Sequence, residues 1–302
     1  MAVRPVFEAN EEKYVKICDT EFEFYSGFSR AQKQRSIDSL HMEYEGRHQG
    51  KRVLEISGYS KEQAGAALSA FSLTKELKDG RKVPVELIFQ AGKKFENGGP
   101  YRDLLAAAPG AAKSDERLRT SGRIVSFEFD GRVFPTEPET LAYTWLYIAA
   151  LSEHEELADE LIKYDAFTDI AFNPARSINC QAYAAAVFVS LKKKGELEKA
   201  LSDTAFLAQI LAPSAGEMAG RTVPSQPAAR QRRKAAPKKK KDAELARSQF
   251  QIRDAIVHPV FGNGIVKKVN RTESTVQLVV AFESGGEKKL SEAWVLENCR
   301  RE

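Results

Sequence analysis

Pro84-Val85-Glu86-Leu87-Ile88-Phe89-Gln90-Ala91-Gly92-Lys93-Lys94-Phe95-Glu96-Asn97 is a mostly apolar run that carries a polar series at Glu86, Gln90, Lys93 and Asn97. Pro84 suits the first turn of a helix, where its missing N–H costs little. The polar residues are spaced 4, 3 and 4 apart, which puts all four on one face of a helix reaching Asn97. A polar stripe on a largely buried helix must find partners or open onto a cleft. An exposed Glu86–Gln90–Lys93 ladder satisfies the same spacing, and on spacing alone it fits somewhat better.

Outward from this stretch, the periodicity describes an α+β domain over residues 1–212, mostly helical with a small sheet. Arg4–Ala9 and Val15–Tyr25 carry strand-like residues, and Arg52–Ser57 (RVLEIS) reads as a buried strand. Arg30–Gln49 is charged, with Ile37, Leu40 and Tyr44 at helical spacing. Gly122–Phe134 alternates around Asp130-Gly131, a turn pair that tolerates positive φ, and predicts a hairpin. Glu137–Tyr164 is a long amphipathic helix or helix pair, and Ile178–Leu191 and Gly195–Leu211 are further helices. In Phe172-Asn173-Pro174-Ala175-Arg176-Ser177-Ile178-Asn179-Cys180-Gln181, an Asn-Pro turn precedes Ser177 and Asn179, both good N-cap types. Such a helix start can seat a pyrophosphate, although ordinary capping explains most such sequences.

The chain has 302 residues, a formal net charge of +4 and a pI near 8.8. That length exceeds the usual single core and fits one large domain plus a small one. The composition, 42% hydrophobic and 29% charged, excludes collagen-like, wholly disordered and disulfide-scaffold proteins. No apolar run approaches the ~20 residues of a membrane span, and the opening MAVRPVFEANEEKY is polar too early for a signal peptide. Cys18, Cys180 and Cys299 are unpatterned, which fits a reducing, cytoplasmic compartment. With no His/Cys cluster and no calcium-loop spacing, no metal is expected.

The positive charge is concentrated. Residues 213–250 hold 10 Lys+Arg against 3 Asp+Glu, whereas residues 1–212 hold 28 against 32. The first of these segments is rich in Ala, Pro, Ser, Lys and Arg and nearly free of large apolar residues, so it reads as a disordered basic linker. It serves either as a solvated tether or as a phosphate-contacting arm using Arg232, Arg233, Lys238 and Lys239, and the composition weighs these about equally. Residues 251–302 read as a small all-β barrel. Asp254–His258, Ile265–Asn270, Thr275–Phe282 and Glu287–Leu290 are short strands separated by Gly262-Asn263-Gly264 and Ser284-Gly285-Gly286.

Several of these segments together resemble the NADAR family. They are Leu68-Ser69-Ala70-Phe71, then Val85–Lys93, then Gly122-Arg123 and the Asn173–Asn179 segment. With Gly27-Phe28-Ser29, FENGGPY (Phe95–Tyr101), YDAFTDI (Tyr164–Ile170) and SINCQA (Ser177–Ala182), the set is most similar to the branch of NADAR antitoxins found beside DarT-type DNA ADP-ribosyltransferase toxins. The wider family's closing Trp-Gly pattern is missing here, where the chain reads FTDIAFNPARSINCQA.

The resemblance implies an enzyme that removes ADP-ribose from a nucleobase of DNA, guanine favoured, by hydrolysing an N-glycosidic bond. The reaction needs no cofactor, and ADP-ribose is its product. The implied transition state is oxocarbenium-like, requiring a carboxylate and a positioned water. The resemblance assigns Glu86 to water activation or cation stabilisation and Lys93 to orienting it or contacting the ligand. Asp165 and Asp169 are rival carboxylates, Asp169 counted as catalytic and Asp165 as ligand-binding. Ser69, Phe71, Gln90, Asn97, Arg123, Asn173 and Asn179 complete an ADP-ribose site, with Arg123 equally readable as a hairpin residue. The alternative is a non-catalytic ADP-ribose- or nucleic-acid-binding adaptor, or an antitoxin acting by direct toxin contact.

Val257-His258-Pro259-Val260-Phe261-Gly262-Asn263-Gly264-Ile265-Val266 with VVAFESGGEKKL (Val279–Leu290) resembles the Tudor-like C-terminal module of UvrD/PcrA-type helicases. That resemblance implies docking to RNA polymerase or nucleic acid, with Phe261, Lys288, Lys289 and Trp294 as candidate contacts and Phe261 and Trp294 equally readable as core. His258, alone beside a turn, is read as structural.

Overall fold

The computed structural model describes residues 1–219 apart from Phe28, Pro174, Ala175, Arg176 and Ile178. It also describes residues 249–302 apart from Arg253, Pro259, Val260, 272–275, 283–285, Ala293, Trp294, Glu297, Asn298 and Glu302. The chain divides into two units, Met1–Ala229 and Arg230–Glu302.

In the first unit, β1 (Ala2–Asn10) and β2 (Tyr14–Phe22) form an antiparallel hairpin in register from Ala2↔Phe22 to Asn10↔Tyr14. Helix α1 (Arg30–Arg47) opens on a capping box: Ser29 Oγ accepts the Gln32 N–H, and Gln32 Oε1 accepts the Ser29 N–H. Then come β3 (Val53–Glu55), α2 (Gln63–Ala67), the ribbon of β4 (Thr74–Glu76) and β5 (Lys82–Pro84), α3 (Val85–Ala91) and β6 (Lys93–Phe95). A 3-10 turn at Arg102–Ala106, α4 (Pro109–Lys113) and α5 (Arg117–Thr120) lead to β7 (Ile124–Phe129) and β8 (Arg132–Phe134). Asp130 and Gly131 join these two strands at φ of 53° and 71°, the left-handed conformation a two-residue hairpin turn requires. The unit closes with α6 (Leu141–Ser152), α7 (Glu155–Leu161), β9 (Ala166–Thr168), α8 (Gln181–Lys194), α9 (Leu197–Ser202) and α10 (Thr204–Ala219).

The architecture is mixed α/β with small sheets. The main sheet has the order β2-β1-β9-β3, with β9 antiparallel to β1 and parallel to β3. The strand period of two sends successive β1 side chains to opposite faces: Phe7 joins the core around α6 and α8, while Ala2 and Val6 pack with Ile37, Leu40 and Tyr44 of α1. Helices α6 and α8 are apolar almost all round and buried from Leu141 to Leu151 and from Gln181 to Leu191, the pattern of core helices. A second sheet, β6-β7-β8, lies next to α3 in the sequence and receives the chain as that helix ends.

The structure departs from the sequence expectations at several boundaries. Helix α3 stops at Ala91 instead of reaching Asn97. At Gly92 the backbone meets β7 so closely that a Cβ would lie 2.7 Å from the Phe129 ring and 3.0 Å from the Glu128 carbonyl oxygen. From Lys93 the chain is extended, pairing Lys93↔Phe127 and Lys94↔Ser126. Glu137–Tyr164 resolves into the pair α6 and α7. Gly195–Leu211 breaks at Asp203, whose Oδ1 accepts the N–H groups of Ala205 and Phe206 and so starts α10. Helix α10 continues past 212 to Ala219. The expected basic linker falls outside the described residues from 220 to 248. Among the described residues no helix is long and apolar enough to cross a membrane.

The second unit is all-β from Ala255 to Ser291 among its described residues. Strands β10 (Ala255–His258), β11 (Gly262–Arg271), β12 (Val276–Phe282), β13 (Gly286–Ser291) and β14 (Arg300–Arg301) form one antiparallel sheet in the order β13-β12-β11-β10-β14. Phe250, Ile256, Val266, Leu278, Val280, Phe282 and Val295 form its core, with Phe261 packed against it.

A Cβ at Gly92 has no room without shifting β7. Gly92→Ala is therefore expected to cost about 1–3 kcal/mol, lowering the melting temperature of the first unit by roughly 3–10 °C in calorimetry. An unchanged melting temperature would refute the close approach.

Candidate active site

Helix α3 is seven residues long and wholly buried, so its two polar side chains have to be satisfied internally. Glu86 and Gln90 are each 5% exposed. Gln90 Nε2 donates to Glu86 Oε1 at 2.9 Å, and Lys93 Nζ donates to Gln90 Oε1 at 2.7 Å. Only one orientation of the Gln90 amide serves both neighbours, because an ammonium can only donate and an ionised carboxylate only accept. Lys113 of α4 brings a second ammonium to the same carboxylate, 3.8 Å from Glu86 Oε1. Burial pushes the Lys93 ammonium down to about 8; the Glu86 charge opposes the shift and Lys113 adds to it.

A pair of further carboxylates, Glu55 and Asp169, sits at the C-terminal ends of the parallel strands β3 and β9. Glu55 is buried and accepts from Ser57 Oγ (2.6 Å), Thr168 Oγ1 (2.6 Å) and the Ile170 N–H (2.9 Å). Thr168 spends its proton on Glu55, so His41 Nε2, 2.8 Å from Thr168 Oγ1, must be the donor in that contact. Burial holds the His41 imidazole down to about 4, which leaves it neutral. Asp169 follows directly on β9. Its Oδ1 accepts the N–H groups of Ala171 and Phe172, and its Oδ2 accepts from Gln181 Nε2 at 3.0 Å. Burial, then the neighbouring Glu55 charge, push the Asp169 carboxyl up to about 7 against the pull of these donors.

Gln181, the first residue of α8, ties the two clusters together. Its Nε2 also donates to the Ile56 carbonyl (2.6 Å), and its Oε1 accepts the Ala70 N–H (2.8 Å). The Ala70 carbonyl in turn accepts the Glu86 N–H at 2.9 Å. Tyr143 of α6 lies within electrostatic reach of both carboxylates: burial first, and then Glu86 and Asp169 among other groups, hold its hydroxyl well above its ordinary pKa. One carboxylate bonded to an amide and near two ammonium groups, joined through a single backbone unit to another that keeps its proton near neutrality, is an arrangement suited to general acid–base chemistry.

Residues 2–219 match the family model of the DarT1-associated NADAR antitoxin. The chain belongs to this family. A search of the curated proteins finds no match to it.

Within the NADAR domain the expected residues are distributed unevenly. Glu86, Gln90 and Lys93 come together as described, and Asp169 is joined to them only through Gln181 and the Ala70 backbone. Ser69 is buried in the turn before β4, its carbonyl accepting the N–H groups of Ser72 and Leu73. Phe71, next in that turn, is 45% exposed. Asn97 leaves the expected face because α3 has already ended; it is exposed, and its N–H bonds the Ser121 carbonyl. Arg123 is exposed and spent on Glu96, with its Nε and one terminal nitrogen 2.9 and 2.8 Å from Glu96 Oε1. Asp165 occupies the other end of β9 from Asp169, about 13 Å away at the rise of a strand. There it accepts the Arg52 N–H and lies 3.9 Å from Lys51. The Asn173 carbonyl accepts the Ser177 N–H. Asn179 precedes the helix instead of capping it: α8 begins at Gln181, with Cys180 at the cap position and no side-chain cap bond. The Asn179 Oδ1 is buried and accepts no hydrogen bond among the described residues. Arg232, Arg233, Lys238, Lys239 and Trp294 lie outside the described residues. In the second unit, Phe261 stacks near His258 at 4.5 Å between centroids and carries Lys288 Nζ 5.2 Å over its ring.

Glu55, Lys113, Tyr143 and Gln181 were not singled out from the sequence. Glu55 had a usable signal: a carboxylate inside the apolar strand RVLEIS must be partnered. Lys113 had none, because nothing local says that a five-residue helix will face Glu86.

The folded chain holds the Asp169 proton to about pH 7, whereas the unfolded chain releases it near pH 4. Protonated Asp169 therefore contributes stability that is complete below about pH 4 and is lost as the pH rises toward 7. Asp169→Asn cannot ionise, so its melting temperature should fall less than that of the wild type between pH 4 and 7.5. Equal pH dependence in the two proteins would reject the raised carboxyl.

Proposed function

We propose that the NADAR domain hydrolyses the N-glycosidic bond between ADP-ribose and a modified nucleobase, guanine favoured, and so reverses the action of a DarT-type toxin. The observation that carries this reading is the Lys93–Gln90–Glu86 chain of hydrogen bonds, linked through Ala70 and Gln181 to a carboxyl whose proton is held toward neutral pH. In the proposed reaction Glu86 takes a proton from a water whose oxygen bonds to the anomeric carbon. The bond from that carbon to the base nitrogen breaks, its electron pair goes to the base, and Asp169 supplies the proton that neutralises it. The Lys93 ammonium, acting through Gln90, fixes the rotamer of Glu86. The buried Asn179 Oδ1 accepts a ribose hydroxyl, and Asn173 and Ser69 line the same ligand. No cofactor takes part.

Glu86→Gln keeps the shape of the side chain and loses the base. It should leave the protein folded and slow release of ADP-ribose from guanine-linked DNA by about two orders of magnitude or more. Thymine-linked DNA run in parallel reads the base preference. Near wild-type release would remove Glu86 from the chemistry, and binding without release by the wild type would favour a reader over an enzyme.

The Lys93 ammonium, held down to about 8 by burial, is half deprotonated near that pH. If its donation to Gln90 is required, kcat/KM falls above that pH, and Lys93→Arg shifts the fall to higher pH. Activity that rises through pH 8 would instead assign Lys93 the part of a neutral amine nucleophile.

For the all-β unit we propose a Tudor-like docking role toward RNA polymerase or nucleic acid, supported by its sequence resemblance and by the Phe261–Lys288 pair on its surface. The full chain should retain polymerase or nucleic acid in pull-downs that a chain ending at residue 250 does not. Equal recovery by both would refute the role.

A further inference from the structure

We propose that Phe71 and Lys113 form the subsite for the nucleobase, as distinct from the ADP-ribose, of the substrate; this inference rests on the glycohydrolase reading above. Phe71 is 45% exposed, yet the backbone that leads into it is held by hydrogen bonds on both sides. The preceding Ala70 is held through its N–H by Gln181 and through its carbonyl by Glu86, and the Phe71 N–H faces Ser69 Oγ at 3.4 Å. The residues that hold this aromatic in place are thus the ones that position the two carboxylates.

Lys113 supplies the second, independent observation. Its side chain is 61% exposed, and its Nζ lies 5.8 Å from the Phe71 ring centroid and 3.8 Å from Glu86 Oε1. One ammonium therefore spans the aromatic ring and the proposed base. An ion pair this long and this wet is worth little, so Lys113 can exchange Glu86 for another acceptor at small cost.

The chemistry of the cleaved bond says what belongs there. The base is attached directly to the anomeric carbon that Glu86 must address, so it has to rest close to Glu86. The exposed Phe71 ring offers a face for stacking, and Lys113, 3.8 Å from Glu86 Oε1, offers a cation for the base edge. Stacking on an aromatic serves any base, whereas an ammonium favours the paired O6 and N7 acceptors of guanine.

The experiment compares binding by the full chain in a Glu86→Gln background, which slows turnover. The probes are a guanine-linked ADP-ribosylated single-stranded oligonucleotide and free ADP-ribose. Phe71→Ala should weaken the oligonucleotide by about tenfold or more and free ADP-ribose by less than twofold, and Phe71→Trp should restore the oligonucleotide. Lys113→Gln should weaken guanine-linked more than thymine-linked oligonucleotide. Equal losses on both probes would make Phe71 an ADP-ribose contact, and no loss on either would make it a bystander; each result overturns the subsite. Release of ADP-ribose by the unmodified chain is scored separately, so a protein that cleaves but fails this comparison refutes the subsite alone.

Discussion

A single side-chain amide, that of Gln181, holds together parts of the chain that no local rule would join. It takes the Ala70 N–H on its oxygen and gives its two protons to the Ile56 carbonyl and the Asp169 carboxylate. Those three partners come from the turn before β4, the end of β3 and the end of β9. The Ala70 N–H and the Ile56 carbonyl are buried and would be costly orphans without it, whereas Asp169 keeps the N–H groups of Ala171 and Phe172 as donors. Because the Ala70 carbonyl also receives the Glu86 N–H, the start of α3 is fixed through the same unit. Were the amide replaced by an apolar group of similar size, the aromatic turn, the raised carboxyl and the buried helix would lose their common reference.

Around that amide the two carboxylates have different neighbours. Glu86 meets the Gln90 amide and the Lys113 ammonium, with Lys93 one hydrogen bond farther back. Asp169 is enclosed beside Glu55, which is itself satisfied by two hydroxyls and a backbone N–H and leaves nothing over to share. His41, neutral and donating to Thr168, keeps the threonine proton directed at Glu55 and so maintains the pressure on Asp169.

Much of this was legible from periodicity. The Asp130-Gly131 hairpin, the buried strand RVLEIS and the 4-then-3 spacing of Glu86, Gln90 and Lys93 all follow from rules that act within a few residues. What was not legible depended on partners far away in the chain. The end of α3 is set by β7 pressing on Gly92, so the expected reach to Asn97 failed although the local pattern allowed it. Arg123 looked available for a phosphate until Glu96 was placed beside it. Asp165 and Asp169 looked equivalent in YDAFTDI, and only the direction of β9 between its neighbours sends one to the site and the other to Lys51 and Arg52. The part of Gln181 was hidden for the same reason: a glutamine at a helix start gives no sign of which three chain segments it will meet.

The pairing of β1 with β9 bears on how the molecule comes into being. The β1–β2 hairpin closes on itself early, but the other edge of β1 waits for Phe167 to reach Phe7, and Gln181 lies farther along still. At ordinary translation rates of about 5–20 residues per second, that edge stays unpaired for on the order of ten to thirty seconds, an open template for mispairing. The carboxylates, the bridging amide and the exposed aromatic are therefore brought into register late and together. A nascent chain that stops short of α8 holds every residue of the Lys93–Gln90–Glu86 chain and still lacks the contact that sets it in place, so any protection such a protein gives its cell begins only once nearly the whole domain has been made.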